Sequence, residues 1–408
     1  MSQLRPISLC NTLYKVVSKI LVARLRPLMS KLVSPTQVSF VPGRHITDNI
    51  VVDQEMLHKF KVSKGKNEFV AWKIDLSKAY DRLSLNFIRD VLWEVVIRGR
   101  ILELLMSCIS SVQYKAVLNG ELTEAFVPKC GIRQGDPLSP YIFVMCMEKL
   151  SHLIHQSVQD KIWKPVQICQ GGPMVSHLFF ANDLILFGKA SVTQAKVMKQ
   201  CLDDFCNLSS QRFSFEKFVI CVSPNTCSDL ARQVASISGS PLTDCLGKYL
   251  GVPLIHKRVT KATYFEIVDK VQRRLSAWKS HTLSMACRIT LTQSVPLPFL
   301  IYAMQTAQFS ASVCDKLDQL NRNFLWGHTV DKSKVHLVNW DTVCQPKTAG
   351  GLGIKRTTQN DQGLWSQVLN AKYLRHYDLL AAKDLHLSCS SSVWRGVLYG
   401  AKLLPHGL

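Results

Sequence analysis

Two short segments, far apart in the chain, constrain its fold more than anything else in it. The first, Val70-Ala71-Trp72-Lys73-Ile74-Asp75, is an apolar-rich strand candidate that ends on a carboxylate. The second runs Leu178-Phe179-Phe180, then a short polar turn through Asn182 and Asp183, then Leu184-Ile185-Leu186-Phe187. Two apolar runs separated by so short a polar interval predict a tight hairpin. Strand-borne carboxylates brought side by side are what two-metal phosphoryl transfer requires. Each Mg²⁺ needs hard anionic oxygens, and the two ions sit ~4 Å apart on shared ligands. The hairpin, however, carries Asn182 where that chemistry wants an aspartate. The same motif points to phosphoryl transfer and to a defect in it.

The charge balance agrees with a polyanionic partner. Lys and Arg total 50 against 29 Asp and Glu, a net +21, and nucleic acid is the first candidate. Ribosomal-type binders, membrane-surface proteins and drifting, unselected reading frames share such a balance, so composition alone leaves these open. With 408 residues, 47% of them hydrophobic, the chain has length for two or three domains and ample material for cores. Its 14 cysteines include no C-x-x-C pair, and the spacings Cys201/Cys206 and Cys221/Cys227 fit no common zinc site. They predict reduced, mostly buried thiols in a nuclear or cytoplasmic protein. No apolar run approaches the ~18 residues of a membrane span.

The first 47 residues contain no acid, and Arg5, Lys15, Lys19, Arg24 and Arg26 punctuate an amphipathic stretch. That pattern occurs in mitochondrial transit peptides. It also predicts a helix capped by Asn11, with Leu13, Val16, Val17, Ile20, Leu21, Leu25 and Leu28 as a core-facing stripe. The reading adopted is the helix, with no targeting signal. Further on, Ser84 opens a helix over Leu85, Ile88, Val91 and Leu92. Asp136-Pro137 reads as a carboxylate cap followed by proline at the first helical position. Ser223-Pro224-Asn225-Thr226 is a turn-rich boundary. From about Thr260 the chain reads as helical, with Lys270, Arg273, Arg274, Lys279 and Arg288 interleaved with Trp278. Gly350-Gly351-Leu352-Gly353 predicts a tight turn, and the stretch around Ser388 to Ser392 a loop.

With these residues in view, the chain resembles the reverse transcriptases of plant LINE-type (non-LTR) retrotransposons over nearly its whole length. The matching segments come in family order. Arg5-Pro6-Ile7-Ser8-Leu9 resembles the first fingers motif. Phe40-Val41-Pro42-Gly43-Arg44 with Ile46-Thr47-Asp48-Asn49 resembles the second. Asp75 through Ala79-Tyr80-Asp81 resembles motif A, Arg133-Gln134-Gly135-Asp136-Pro137-Leu138-Ser139-Pro140 motif B, and Phe180 to Asp183 motif C. Lys248-Tyr249-Leu250-Gly251-Val252-Pro253 resembles the primer-grip hairpin. Arg322, Phe324-Leu325-Trp326, Pro346-Lys347 and Gly350 to Ile354 resemble the helical region after the thumb.

The resemblance implies an α+β right-hand polymerase fold with a ferredoxin-like palm, helical fingers and a helical thumb. It divides the chain into fingers (1–68), palm with embedded fingers elements (69–255), thumb (256–345) and a partial post-thumb region (346–408). It also implies two Mg²⁺ ions, an RNA template, a DNA primer and, in an active enzyme, dNTP; it implies no membrane and identifies no protein partner. Asp75 and Asp183 become the metal ligands, with Asn182 a degenerate third catalytic position. Tyr80 becomes the ring under the incoming sugar, where it leaves no room for a 2′-hydroxyl. Arg5, Arg44, Gln134 and Gly135 become nucleotide-binding residues, with Lys217 the candidate for protonating the leaving group. Lys248, Tyr249, Arg273, Arg274 and Lys279 become nucleic-acid contacts.

The family's motif C has aspartate where Asn182 stands. Measured against the family, the chain begins almost at the first fingers motif and stops soon after Val393-Trp394-Arg395. It therefore reads as an excised piece of a larger polyprotein, with the endonuclease, zinc-binding and RNase H-like regions outside it. The expected function is a reverse-transcriptase-like protein that is catalytically inactive and retains nucleic-acid binding. An active RNA-directed DNA polymerase, and a pseudogene or domesticated product with no selected binding role, are the alternatives.

Overall fold

The run Phe69–Asp75 forms the strand it predicts, β1, and forms it inside a sheet rather than at an edge. In the computed structural model, β2 (His177–Phe180), β3 (Asp183–Lys189), β1 and β4 (Val219–Val222) lie side by side in that order, every pair antiparallel. Residues 7–354 are described, apart from 67, 116, 170, 215, 255–263, 278–281, 305–308 and 329–333. Arg5, Lys279 and the stretch around Ser388 to Ser392 lie outside the described residues. Val70, Ala71 and Trp72 are wholly buried, which explains why β1 is a near-continuous apolar run rather than an alternating one.

The longer helices up to residue 238 are α1 (Thr12–Leu25), α2 (Ile46–Val62), α3 (Leu85–Glu94), α4 (Arg100–Ser110), α5 (Ser139–Gln159), α6 (Val192–Ser209) and α7 (Ser228–Ser238). The first half of α5 is buried all round from Ile142 through Glu148, as a helix enclosed in a core must be. By packing, the chain divides into two units, Met1–Asn49 with Lys59–Leu246, and Ile50–His58 with Gly247–Leu408. The second unit has its own core, in which α8 (Phe265–Ala277), α9 (Met285–Ser294), α10 (Pro296–Met304) and α11 (Ala311–Trp326) enclose residues such as Val271, Leu300 and Leu317. A smaller cluster joins Leu325, Trp340, Val343 and Ile354. The α+β class is the one expected from the sequence.

Three local expectations need correction. Asn11 caps α1 as predicted, its Oδ1 accepting from Tyr14 N at 2.8 Å. The predicted apolar stripe is buried only at Leu21 and Leu25, however: Leu13 is 82% exposed, and Val16, Val17, Ile20 and Leu28 are exposed too. Packing instead uses Tyr14, Ser18, Leu21, Val22 and Leu25, a neighbouring line on the same helix. The helix carries apolar residues on two overlapping faces, and the contact with Asp136 described below selects the face through Tyr14. Second, α5 starts at Ser139, with Pro140 in its first turn, two residues later than Asp136-Pro137 predicts. The Asp136 carboxylate accepts from Leu138 N at 3.0 Å and so caps from just outside. Third, Cys130, Cys227, Cys245 and Cys287 are exposed rather than buried. No described helix is long and apolar enough to cross a membrane.

The hairpin β5 (Lys248–Tyr249) and β6 (Val252–Pro253) turns through Leu250 at φ 50° and Gly251 at φ 84°. Both central residues are left-handed, which suits the twist of a two-residue hairpin. Gly350 opens the predicted late turn at φ 82°, and a Cβ at Gly351 would collide with the Gln345 carbonyl.

Trp72 sets the first testable expectation. It is fully buried and packs on Phe218 at 5.5 Å, yet its ring N–H has no acceptor among the described residues. Trp72→Ala should cost about 3–5 kcal/mol of stability in denaturant titrations. Trp72→Phe should cost clearly less, because it removes an unsatisfied donor along with the lost area.

Candidate active site

β1 and β3 pair in a register that sets Asp75 directly opposite Asp183. Between β2 and β3 the chain reverses in two residues, Ala181 and Asn182, with Ala181 at φ 52°. A non-glycine residue rarely holds that conformation, and here the surroundings impose it. Ala181 N donates to Ser39 Oγ at 2.8 Å and to Gln37 Oε1 at 3.2 Å, both in the loop ahead of α2. The same loop bonds β2 through Phe179 N to Thr36 O and Val38 N to Phe179 O, and Asn49 Nδ2 reaches the same Phe179 carbonyl.

This buttress is itself anchored. Arg44 donates to the carbonyls of Val33, Ser34 and Gln37, at 2.7 Å for Val33 and 2.5 Å for Gln37. Beneath it, Ser34 Oγ meets Thr36 Oγ1 at 2.9 Å, Ser151 Oγ at 2.9 Å and Glu148 Oε2 at 3.3 Å. The buried His177 ring bonds Thr36 and Ser151 through Nε2 and Ser176 through Nδ1. Burial pushes Glu148 up to about 7 against the pull of its Ser34 hydrogen bonds, and pushes His177 down to about 3. Arg44, expected at the nucleotide, is therefore turned onto backbone carbonyls, and its loop supports the hairpin turn.

At the turn, Asn182 Nδ2 donates to Asp75 Oδ1 at 2.6 Å. A carboxylate only accepts, so the amide must present its NH₂ to Asp75. The other oxygen of Asp75 is paired with Lys217 Nζ at 2.5 Å. Lys217 gets there because β1 continues past Asp75: Ser77 N bonds Arg212 O, Ser214 N bonds Asp75 O, and Lys217 closes the turn that follows, seated by buried Phe218. The structure thus joins Asp75, Asn182, Asp183 and Lys217 in one group.

A second group forms around motif B. Ile132 N bonds Tyr80 O at 2.8 Å, and Gln134 Nε2 donates to Asp81 Oδ1 at 3.0 Å. The Tyr80 ring stacks on Phe143 at 4.8 Å, and burial pushes its hydroxyl up to about 12. Gly135, at φ 99°, is approached closely by the chain itself: a Cβ there would lie 3.2 Å from Ser8 O. Sequence reading missed the knot beside it. Tyr14 Oη donates to Asp136 Oδ2 at 2.5 Å, Arg133 Nη2 reaches the same oxygen at 3.2 Å, and the Arg133 guanidinium lies 3.8 Å over the Tyr14 ring. Only the basic, acid-free N-terminal stretch hinted at it.

In the second unit, Lys248 pairs with Glu266, Tyr249 is buried, and Arg273 pairs with Asp269 at 2.7 Å while Arg274 is exposed.

The donor set at Asp75 does not suit two divalent ions. Asn182 adds an N–H donor and no charge, an ammonium already pairs with Asp75, and no group of three or more His, Cys, Asp or Glu side chains converges among the described residues.

Residues 1–254 match the family described as reverse transcriptase (RNA-dependent DNA polymerase). A putative ribonuclease H protein of Arabidopsis thaliana is 37% identical over 38% of this chain and 28% of its own length. The transposon TX1 149 kDa protein of Xenopus laevis is 24% identical over 86% of this chain and 26% of its own. The Pol polyprotein of the type-2 retrotransposable element R2DM of Drosophila melanogaster is 25% identical over 86% and 32%. The chain thus spans about a quarter to a third of these relatives. Among solved structures, telomerase from Candida albicans in complex with a fragment of telomeric RNA aligns at 12% identity and TM-score 0.43, over 78% of this chain and 55% of that one.

The buried cluster under the hairpin loop should be visible in the pH dependence of folding. Glu148 lies between Ser34, Ser151, Arg44 and His152, the last at 3.8 Å. Its raised pKa means that the stability it contributes is present below its ordinary 4.5 and lost as pH rises through about 7. His177 acts oppositely, losing stability as pH falls below its ordinary 6.5. Glu148→Gln should therefore gain on the wild type between about pH 5 and about pH 8 in denaturant titrations. Equal slopes in the two proteins would refute this.

Proposed function

Since the chain belongs to the reverse transcriptase (RNA-dependent DNA polymerase) family, in its non-LTR retrotransposon branch, and so has that family's right-hand polymerase fold, we propose that it is a catalytically silent polymerase that retains nucleic-acid binding. One observation carries the reading: the Asn182 amide donates to Asp75, where a metal-dependent polymerase needs a second bridging carboxylate. An aspartate can share its charge between two cations, whereas an amide offers one neutral oxygen and here turns its nitrogen inward. Losing a single neutral donor to a transition-state charge costs on the order of 10²–10³ in rate, and losing a full charge beside the reacting phosphate should cost more. Lys217 pairs with Asp75 directly, so this carboxylate already has a cationic partner without a divalent ion.

The net charge of +21 supports the binding half of the proposal. On this reading the exposed Arg274 and the partly engaged Arg273 on α8 meet phosphates, and Tyr80, Gln134 and Gly135 mark the former nucleotide site. Plant ancestry accords with the Arabidopsis relative.

Primer extension on an RNA template with Mg²⁺ should be absent from the protein as it stands; extension at an ordinary polymerase rate would overturn the reading. Asn182→Asp should tighten Mn²⁺ binding to the cleft, read by the paramagnetic relaxation of water, and Asp75→Ala should abolish the gain. Oligonucleotide affinity should fall by orders of magnitude from low to physiological salt, because neutralised phosphates release counterions. Replacing Arg273 and Arg274 together should flatten that dependence. Salt-insensitive binding would refute the phosphate contacts.

A further inference from the structure

The end of α11 gathers positive charge, and among the described residues no acid pairs with it. Gly327 follows the helix at φ 74°, and a Cβ there would collide with Arg288 Nη1 and lie 3.7 Å from Lys334 Nζ. Two cations from different segments therefore crowd over one glycine. Arg322 stands one turn earlier on α11. The buried Nε and Nη1 of Arg288 and the buried Nε of Arg322 have no hydrogen-bond partner among the described residues. Among the described residues, no ion pair reaches Arg288, Arg322 or Lys334. His336 closes the group, stacked on Trp326 at 6.2 Å and bonded to His328 at 2.9 Å. Burial, then Arg322 and His328, push its pKa down, so the charges that reach this ring are positive.

The bland explanation is that these cations serve the C-terminal dipole of α11. A helix end carries roughly half an elementary charge, which three full cations exceed several-fold. Buried donors left unpaired cost free energy, and like charges held together cost more. Both costs vanish if an anion with several acceptor oxygens occupies the turn.

We propose that the turn after α11 is a binding site for a phosphate group, held by the Arg288 and Arg322 guanidinium groups and the Lys334 ammonium, with His336 at its edge. Guanidinium groups match the paired oxygens of phosphate, and Lys334, which is exposed, supplies a point charge from the solvent side. The site lies in the helical second unit and does not depend on the chemistry at Asp75. The phosphate can belong to a nucleic-acid backbone or to a free ion.

The test uses the full chain with inorganic phosphate, followed by ³¹P NMR line broadening at ionic strength held constant with NaCl. Lys334→Gln and Arg288→Gln should each weaken phosphate binding by about tenfold or more, while Lys196→Gln, an exposed lysine on α6, should not. Bound phosphate should also raise the pH midpoint of the His336 ring, since an adjacent anion favours imidazolium. If Arg288→Gln does not fold, Arg322→Gln takes its place. Single-stranded RNA and DNA oligonucleotides then separate the sources. Weakened oligonucleotide binding in the same variants assigns the site to a backbone phosphate, and unchanged oligonucleotide binding assigns it to a free phosphate. Phosphate binding equal in wild type and variants would overturn the site. Loss of oligonucleotide binding on the α8 arginines alone would test the polymerase reading and leave this one standing.

Discussion

The register between β1 and β3 is the constraint on which the candidate site depends. It puts Asp75 opposite Asp183 and leaves two residues, Ala181 and Asn182, to reverse the chain. A slip by one residue would turn every side chain of β1 to the other face. Both faces of β1 are enclosed, and Trp72 against Phe218 would lose its seat, so the register cannot drift. The turn is held from outside as well. Gln37 and Ser39 bond the Ala181 N–H, Arg44 fixes their loop through three carbonyls, and the Ser34–Glu148–Ser151–His177 cluster fixes the loop to α5 and β2. Backbone strain at Ala181 is sustained by that network.

Charge is distributed unevenly along this frame. At the cleft, each oxygen of Asp75 has its own donor, one neutral and one cationic. An aspartate in place of Asn182 would set two carboxylates in contact, and only a cation between them could relieve the repulsion. The present sequence removes that need. At the end of α11 the imbalance is reversed, with Arg288, Arg322 and Lys334 clustered and without an ion pair among the described residues. The excess of basic residues is thus concentrated at particular turns as well as spread over solvent-facing helices.

Several polar residues that suit ligand binding in the sequence also make contacts that serve the fold. Arg44 clamps a loop, and Asp136 anchors Tyr14 and Arg133 before it caps α5. Gly135 makes room for the backbone at Ser8. These contacts tie the N-terminal stretch to the core of the first unit, and they decide which face of α1 is buried.

The sequence by itself determined β1, the hairpin that brings Asn182 to Asp75, the Asn11 cap and the helical character of the chain beyond Thr260. Each of these is written in short-range pattern: an apolar run, a two-residue interval, a capping side chain. Asn182 as the anomalous position was legible for the same reason, and Lys217 could be named but not placed. Only the tertiary structure decided the buried face of α1, the role of Arg44, the knot at Asp136, the double clamp on Asp75 and the cationic turn after α11. Several of those features join residues far apart, 39 positions for Gly327 over Arg288 and 142 for Lys217 on Asp75. Local periodicity carries no information about such partners, because a side chain's choice among competing faces and acceptors is made by what the rest of the core places beside it.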